Sequence, residues 1–369
     1  MPDLSTTSPP FLTAFNLARF GLSPFVRPND ARRAYDPRHT TLTHENHHMK
    51  ILRNIQAGIL FLLVAHNAAS AADVAETTAL LESNDPRATA AVTALVQADP
   101  KNPDVQALQV HLLLLQGDAE AAIDVAKRTV KSAPNNAPAH LWLGNAYGLR
   151  LSQVGMFSQI AIAPRLRRAY EEAVNLDPDL LEARYRLVEF YVQAPKVMGG
   201  GIDKAKSQVD EIATRDPAMG HAARGKVLLA EKQVDSALAE FAAARAAKPD
   251  VARYRLEIGL ALQRSKRWQD AFDAFQAWTR DDPDSPSAWY QLGRTVALSG
   301  LNADAGVAAI EHYLSMPLKL DSPGVQHAWF RLGQIHALAG RKDEARTAFG
   351  KALAIDPKHR EAKAALAKL

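Results

Sequence analysis

Only a few side chains in this sequence have types and spacings that suggest chemistry, and each fails a requirement of that chemistry. Gly199-Gly200-Gly201 ahead of a helical stretch invites a phosphate-cradling loop. Such a loop needs a preceding strand and a following Gly-Lys-Ser/Thr, whose lysine and hydroxyl serve the phosphates and the magnesium. Ile202-Asp203-Lys204-Ala205 follows instead and no strand precedes, so the triplet reads as a flexible turn between helices. His44, His47 and His48 are close enough to share a metal, but they lie in a stretch without periodicity and read as an incidental cluster. His111, His140, His221, His312, His327, His336 and His359 are dispersed, with no pair at metal spacing on a helix. Glu171-Glu172 and Asp281-Asp282 read as solvated helix faces or caps. Neither Gly-x-Ser-x-Gly nor His-Glu-x-x-His occurs. The absence of cysteine removes thiolate metal sites, disulfides and a cysteine nucleophile. No metal or cofactor is implied, and an enzyme with a site near residues 149–201 is the least favoured reading.

What does recur is a packing skeleton. Trp329, Leu332-Gly333, Gly340, Ala345, Phe349, Ala352 and Pro357 are echoed upstream by Trp289, Leu292-Gly293, Gly300, Ala305, Ala309 and Pro317. Earlier copies read Ile258-Gly259, Ala271, Phe275, Trp278, Pro283 and Gly225, Leu228, Ala237, Phe241, Ala244, Pro249. Self-similarity at a spacing near 34 residues marks a stack of supersecondary units. Gly144, Gly225, Gly259, Gly293 and Gly333 fall inside helices, where glycine costs about 1 kcal/mol against alanine. Their recurrence at one register implies a helix crossing too close for a side chain. The prolines at 134, 178, 217, 249, 283, 317 and 357 end each second helix, because proline lacks the amide donor and restricts the residue before it.

The skeleton resembles the tetratricopeptide repeat, and most of residues 103–369 carries it. The resemblance implies an all-α fold, a right-handed α-solenoid of helix-turn-helix repeats. We divide the chain into an N-terminal extension (1–48), a signal peptide (49–71), a degenerate capping repeat (72–102), about seven repeats (103–359) and a C-terminal cap helix (360–369). Inserts fall near 149–165, 195–201 and 318–323. The first, with Val154, Met156, Phe157, Ile160 and Ile162, is expected to pack as helical extension. Together with the Pro-Gly insert it is loosely similar to a divergent subgroup that includes regulator-of-microtubule-dynamics proteins.

In tetratricopeptide stacks the first helices line a concave groove that touches a peptide or protein segment. Carrying that register over gives Tyr185, Arg186, Glu189, Lys226, Arg253, Gln263, Tyr290, Gln291, Arg294, Phe330, Arg331 and Gln334 as groove candidates. Aromatics alternating with Arg and Gln can stack on a peptide and bind its carboxylates bidentately. Some members grip a terminal carboxylate with a Lys and an Asn one turn apart. Asn145 fits the Asn place here, but Leu141 stands where the Lys belongs. An alternative partner is a glycan or cell wall, met by Trp268, Trp278, Trp289 and Tyr290, although Trp278 falls on a second helix and reads as core.

Charge and the N-terminal pattern constrain the partners further. The net charge is +4, from 44 basic and 40 acidic residues. Residues 1–71 account for seven of the basic and four of the acidic residues, which leaves 37 and 36 in the body. A nearly neutral body lacks the electrostatic footprint of nucleic-acid binding. Met49-Lys50-Ile51-Leu52-Arg53, an apolar run to Ala65 and Ala69-Ser70-Ala71 form the pattern of a secretory signal peptide. The run is too short for a comfortable bilayer span, which takes roughly 20 residues. We therefore expect translation from Met49, cleavage before Ala72, no integral span afterwards, and a periplasmic or secreted interaction scaffold. The sequence sets no oligomeric state.

Overall fold

The computed structural model describes residues 72–83, 85–317 and 322–369. The expected N-terminal extension, the signal peptide, the histidines at 44–48 and part of the 318–323 insert lie outside the described residues.

The regular elements among the described residues are helices that pack in sequential pairs, as the repeat reading requires. Helix α1 (72–82) shares a hydrophobic core with α2 (Ala88–Ala98) through Leu81, Ala88 and Val92. Helix α3 (Pro103–Leu115) pairs with α4 (Ala119–Ser132), and α5 (Ala137–Gln153) with α6 (Met156–Leu176). The next pairs are α7 (Leu181–Gln193) with α8 (Ile202–Arg215), and α9 (Pro217–Ala230) with α10 (Val234–Ala247). Then come α11 (Ala252–Arg264) with α12 (Trp268–Asp281), α13 (Pro286–Ser299) with α14 (Ala303–Ser315), and α15 (Val325–Leu338) with α16 (Lys342–Ile355). Helix α17 (Arg360–Leu366) packs on α16. Local chemistry sets the starts. Asn102, Asp118, Asn136 and Asp216 each accept a backbone amide of the first turn at 2.8–3.1 Å, and Pro103, Pro217 and Pro286 open their helices.

The in-helix glycines are explained by what faces them. A Cβ on Gly225, Gly259 or Gly333 would stand 2.6, 2.1 or 2.5 Å from the ring of Phe241, Phe275 or Phe349, each sixteen residues later. At Gly144 the facing ring is Tyr170, 2.3 Å from such a Cβ, and its spacing is ten residues longer. The insert is thus confined to the tip of the α5–α6 hairpin and leaves the register beyond it intact. Two effects oppose each other at these sites. Gly259→Ala gains about 1 kcal/mol of helix propensity, but overpacking a buried ring costs roughly 1–3 kcal/mol. Phe275 is fully buried and lies against Trp278, so the clash should win. Chemical denaturation should show the variant less stable than the parent, and a gain in stability would refute the crossing.

One repeat departs from the expected register. In the α13–α14 pair the skeleton position Ala305 is only half-buried, and Gly306 and Ile310 take the close positions. A Cβ on Gly293 would meet Ile310, and one on Gly306 would meet Val296, each at 2.4 Å. The cause is one extra residue in the preceding turn, where Gly300 (φ +76°) and Asn302 (φ +45°) both adopt left-handed backbone. The first insert is helical as expected, yet its packing is only partly met. Val154 and Ile162 are half-buried, whereas Met156, Phe157 and Ile160 are exposed.

Candidate functional site

Beyond the pairing of neighbours, contacts run between successive first helices, α3 with α5, α7 with α9, α11 with α13 and α13 with α15. The twelve candidate residues lie along this inner row, and the structure divides them into two clusters of opposite character.

Tyr185, Arg186, Glu189, Lys226 and Arg253 form the first, joined by Glu182 and Glu257, which the repeat register did not single out. Arg186 Nη1 donates to Glu189 at 2.9 Å, and its Nη2 lies 2.8 Å from Glu182. Lys226 Nζ reaches Glu257 at 2.5 Å and Glu189 at 3.3 Å. Arg253 of α11 donates to Glu182 of α7 at 3.2 Å, spanning two repeats, and its guanidinium sits 5.1 Å over the Tyr185 ring. Burial works against the Glu189 carboxylate, but Lys226, Arg186 and Arg253 outweigh it and hold its pKa down at about 2. Glu182 is likewise held low against its burial by Arg253 and Arg186. Three carboxylates balance three cations, so the charges of this cluster cancel within it, although Tyr185 Oη and one Glu257 oxygen are buried without a hydrogen-bond partner among the described residues.

Gln263, Tyr290, Gln291, Arg294, Phe330, Arg331 and Gln334 instead line one cavity of about 650 Å³. Arg264, Leu298, His327, His359 and Glu361 also face it. Two of its guanidiniums are held by neutral amides. Arg294 donates to the Gln263 side-chain oxygen and, at 3.3 Å, to that of Gln291. Gln263 is itself fixed by donating to Thr295 Oγ1 at 2.8 Å. Arg331 Nη1 donates to Gln334 at 2.7 Å, its plane lies 5.3 Å over the Phe330 ring, and its buried Nε has no hydrogen-bond partner among the described residues. Among the described residues, none of Arg264, Arg294 and Arg331 makes an ion pair. Among the described residues the carboxylate that reaches the cavity, Glu361, is 3.2 Å from His359 instead. Burial first, and then the charge of Arg331, with Arg264 adding to it, pushes the Arg294 pKa down to about 10.

Sequence reasoning missed Arg264 and Leu298, although both fall five residues after the in-helix glycine and the register could have found them. His359 closes the last repeat and Glu361 follows it, and neither carries a register signal. Several other singled-out residues are held by the protein itself. Asn145 is buried and accepts a hydrogen bond from Tyr170 Oη at 2.9 Å, so it faces the core and is not available to a ligand. The Gly199-Gly201 turn spends its amides on its own backbone, Gly200 N on Pro195 O at 3.1 Å and Gly201 N on Tyr191 O at 2.9 Å. Trp278 is in the core, and the Trp289 indole donates to Pro283 O at 2.7 Å.

With the geometry established, comparison with known proteins identifies the repeat. Models of the tetratricopeptide repeat match residues 74–137, 222–286 and 326–359. These stretches of the chain are tetratricopeptide repeats. No curated protein matches the sequence. A structure of the human IFIT1 dimer with PPP-AAAA is 16% identical, with a TM-score of 0.53 over 77% of this chain and 69% of that one. A tetratricopeptide protein of Thermus thermophilus is 18% identical, with a TM-score of 0.46 over 53% of this chain and 99% of that one. At such identities the likeness speaks to the repeat fold alone. Among the described residues no helix is long and apolar enough to cross a membrane.

Proposed function

We propose that this tetratricopeptide repeat protein is a non-catalytic interaction scaffold that holds a peptide or protein segment in its C-terminal repeats. An acidic side chain or a terminal carboxylate of the segment seats in the cavity between α11 and α15. Tetratricopeptide repeats imply protein partners. The observation that narrows this to an acidic ligand is the convergence of Arg264, Arg294 and Arg331 on one cavity without a counter-ion among the described residues. A carboxylate accepts two parallel hydrogen bonds from a guanidinium fork. The glutamine amides already hold two of the forks in place, which lowers the ordering cost of binding. Tyr290 and Phe330 supply apolar wall for neighbouring residues of the ligand.

We place this activity in the cell envelope or outside the cell, on the support of the signal-peptide pattern at residues 49–71. Selection of the chain against a displayed random peptide library tests the reading of function. Recovered peptides should be rich in Asp and Glu or should require a free C-terminus. Recovery of peptides with no acidic bias would sink it, as would binding on a glycan array without any peptide recovered.

A further inference from the structure

The tip of the α5–α6 hairpin is built unlike the rest of the solenoid. The other helices from α3 to α16 run 13 or 14 residues, whereas α5 has 17 and α6 has 21. Seven extra residues extend α6 by about 10 Å at the helical rise. That extension ends in Met156, Phe157 and Ile160, which are 54%, 85% and 52% exposed. The tip is nonetheless an ordered element. Gln159, on the side away from Phe157, is buried and donates to the carbonyls of Leu151 at 3.2 Å and Val154 at 3.1 Å, which pins the turn.

Charge completes the pattern. From Leu151 to Tyr170 there is no Asp or Glu, and Arg165, Arg167 and Arg168 follow the apolar tip. Arg167 pairs with Glu171 at 3.2 Å, but Arg165 and Arg168 are exposed and make no ion pair among the described residues. Phe157, Ala161 and Arg168 share one helix face, since they are four and seven residues apart. The outer face of α6 therefore reads apolar at its end and cationic about 16 Å further along.

We propose that this tip docks on an anionic lipid bilayer, with Met156, Phe157 and Ile160 entering the interface and Arg165 and Arg168 at the level of the lipid phosphates. An interfacial helix buries its apolar face roughly 5–10 Å deep, which is the depth this tip offers. Its arginines add attraction only where the surface carries negative lipid. A protruding convex tip suits a fluid surface better than a preformed protein groove, and the acid-free stretch selects a negative one. The inference goes beyond the groove reading and does not depend on it.

The test reports on the tip itself, because the apolar run at residues 55–65 of the full chain could bring it to vesicles by another route. The chain has no cysteine, so Ala161→Cys can carry an environment-sensitive dye alone, and Asp343→Cys on α16 serves as the control. With the full chain and vesicles of phosphatidylcholine mixed with phosphatidylserine, the dye at 161 should shift to the blue and brighten several-fold. The dye at 343 should not change, and pure phosphatidylcholine should leave both unchanged. Phe157→Ser with Ile160→Ser should abolish the response, and Arg165→Gln with Arg168→Gln should weaken vesicle affinity on the order of tenfold or more. These side chains are exposed, so circular dichroism should show the fold kept. A silent dye at 161, an equal response to neutral vesicles, or a response at both positions overturns the proposal. So does a dye already blue-shifted in buffer, whether the cover is this chain's own apolar segment or, if the shift depends on concentration, a second copy.

Discussion

Lys226→Met should lower the stability of the solenoid by about 3–5 kcal/mol, the usual cost of removing one partner of a buried ion pair. Glu257 is only 2% exposed, and Lys226 is the cation it reaches, at 2.5 Å. Without the lysine a buried carboxylate stays in a low-dielectric site with its second oxygen already lacking a hydrogen-bond partner. Glu189 is less affected, since Arg186 still holds it at 2.9 Å. The double variant Lys226→Met with Glu257→Leu should recover most of the loss, because an apolar pair of similar volume often equals or exceeds the stability of a buried ion pair. Urea denaturation followed by circular dichroism gives the size of the effect. Amide exchange should place the loss in α7, α9 and α11, since repeat arrays can open locally. Equal stability of the single variant and the parent would mean that these charges are solvated and the inner face there is open.

Arg331→Gln should weaken binding of an acidic peptide about tenfold to a hundredfold, from a loss of roughly 1.5–3 kcal/mol per charged hydrogen bond. Arg294→Gln should act in the same direction, and the two together should remove measurable affinity at ordinary concentrations. The free protein should respond in the opposite sense. Arg331 and Arg264 both disfavour the charge on Arg294, so its removal relieves repulsion and leaves stability unchanged or slightly raised. Loss of binding without loss of stability separates a ligand contact from a structural one. Binding of the parent should also weaken as salt is added, and Lys351→Gln on the outer helix α16 should leave it unaltered. Titration calorimetry at several salt concentrations reads all three effects.

The fold was legible because its signal is steric and repeats. Gly225, Gly259 and Gly333 recur at a place where propensity argues against glycine, and only a ring sixteen residues away explains them. That logic slipped where the turn before α14 gained a residue, since a one-residue shift moves the crossing from Ala305 to Gly306 without altering the composition of the helix. The groove was half legible. Register placed twelve residues on the inner row, but register does not say whether a neighbour cancels a charge. Arg186 and Arg331 occupy corresponding inner-face settings, yet one is clasped by Glu182 and Glu189 and the other lies on a phenyl ring beside a neutral amide. The difference depends on Glu182, which looks like an ordinary helix-surface acid in the sequence. Pairing across 71 residues, as between Arg253 and Glu182, has no local trace at all.

The central claim is that ligand enters the arginine cavity of the C-terminal repeats and not the ion-paired face between α7 and α11. Photo-crosslinking tests it most directly, using an acidic peptide recovered from selection with a photoreactive residue placed beside its acid. Attachment should map to α13 and α15, around Tyr290, Leu298 and Phe330, and should vanish with Arg294→Gln and Arg331→Gln. Attachment around Tyr185, Arg186 and Lys226, undiminished by those substitutions, would contradict it.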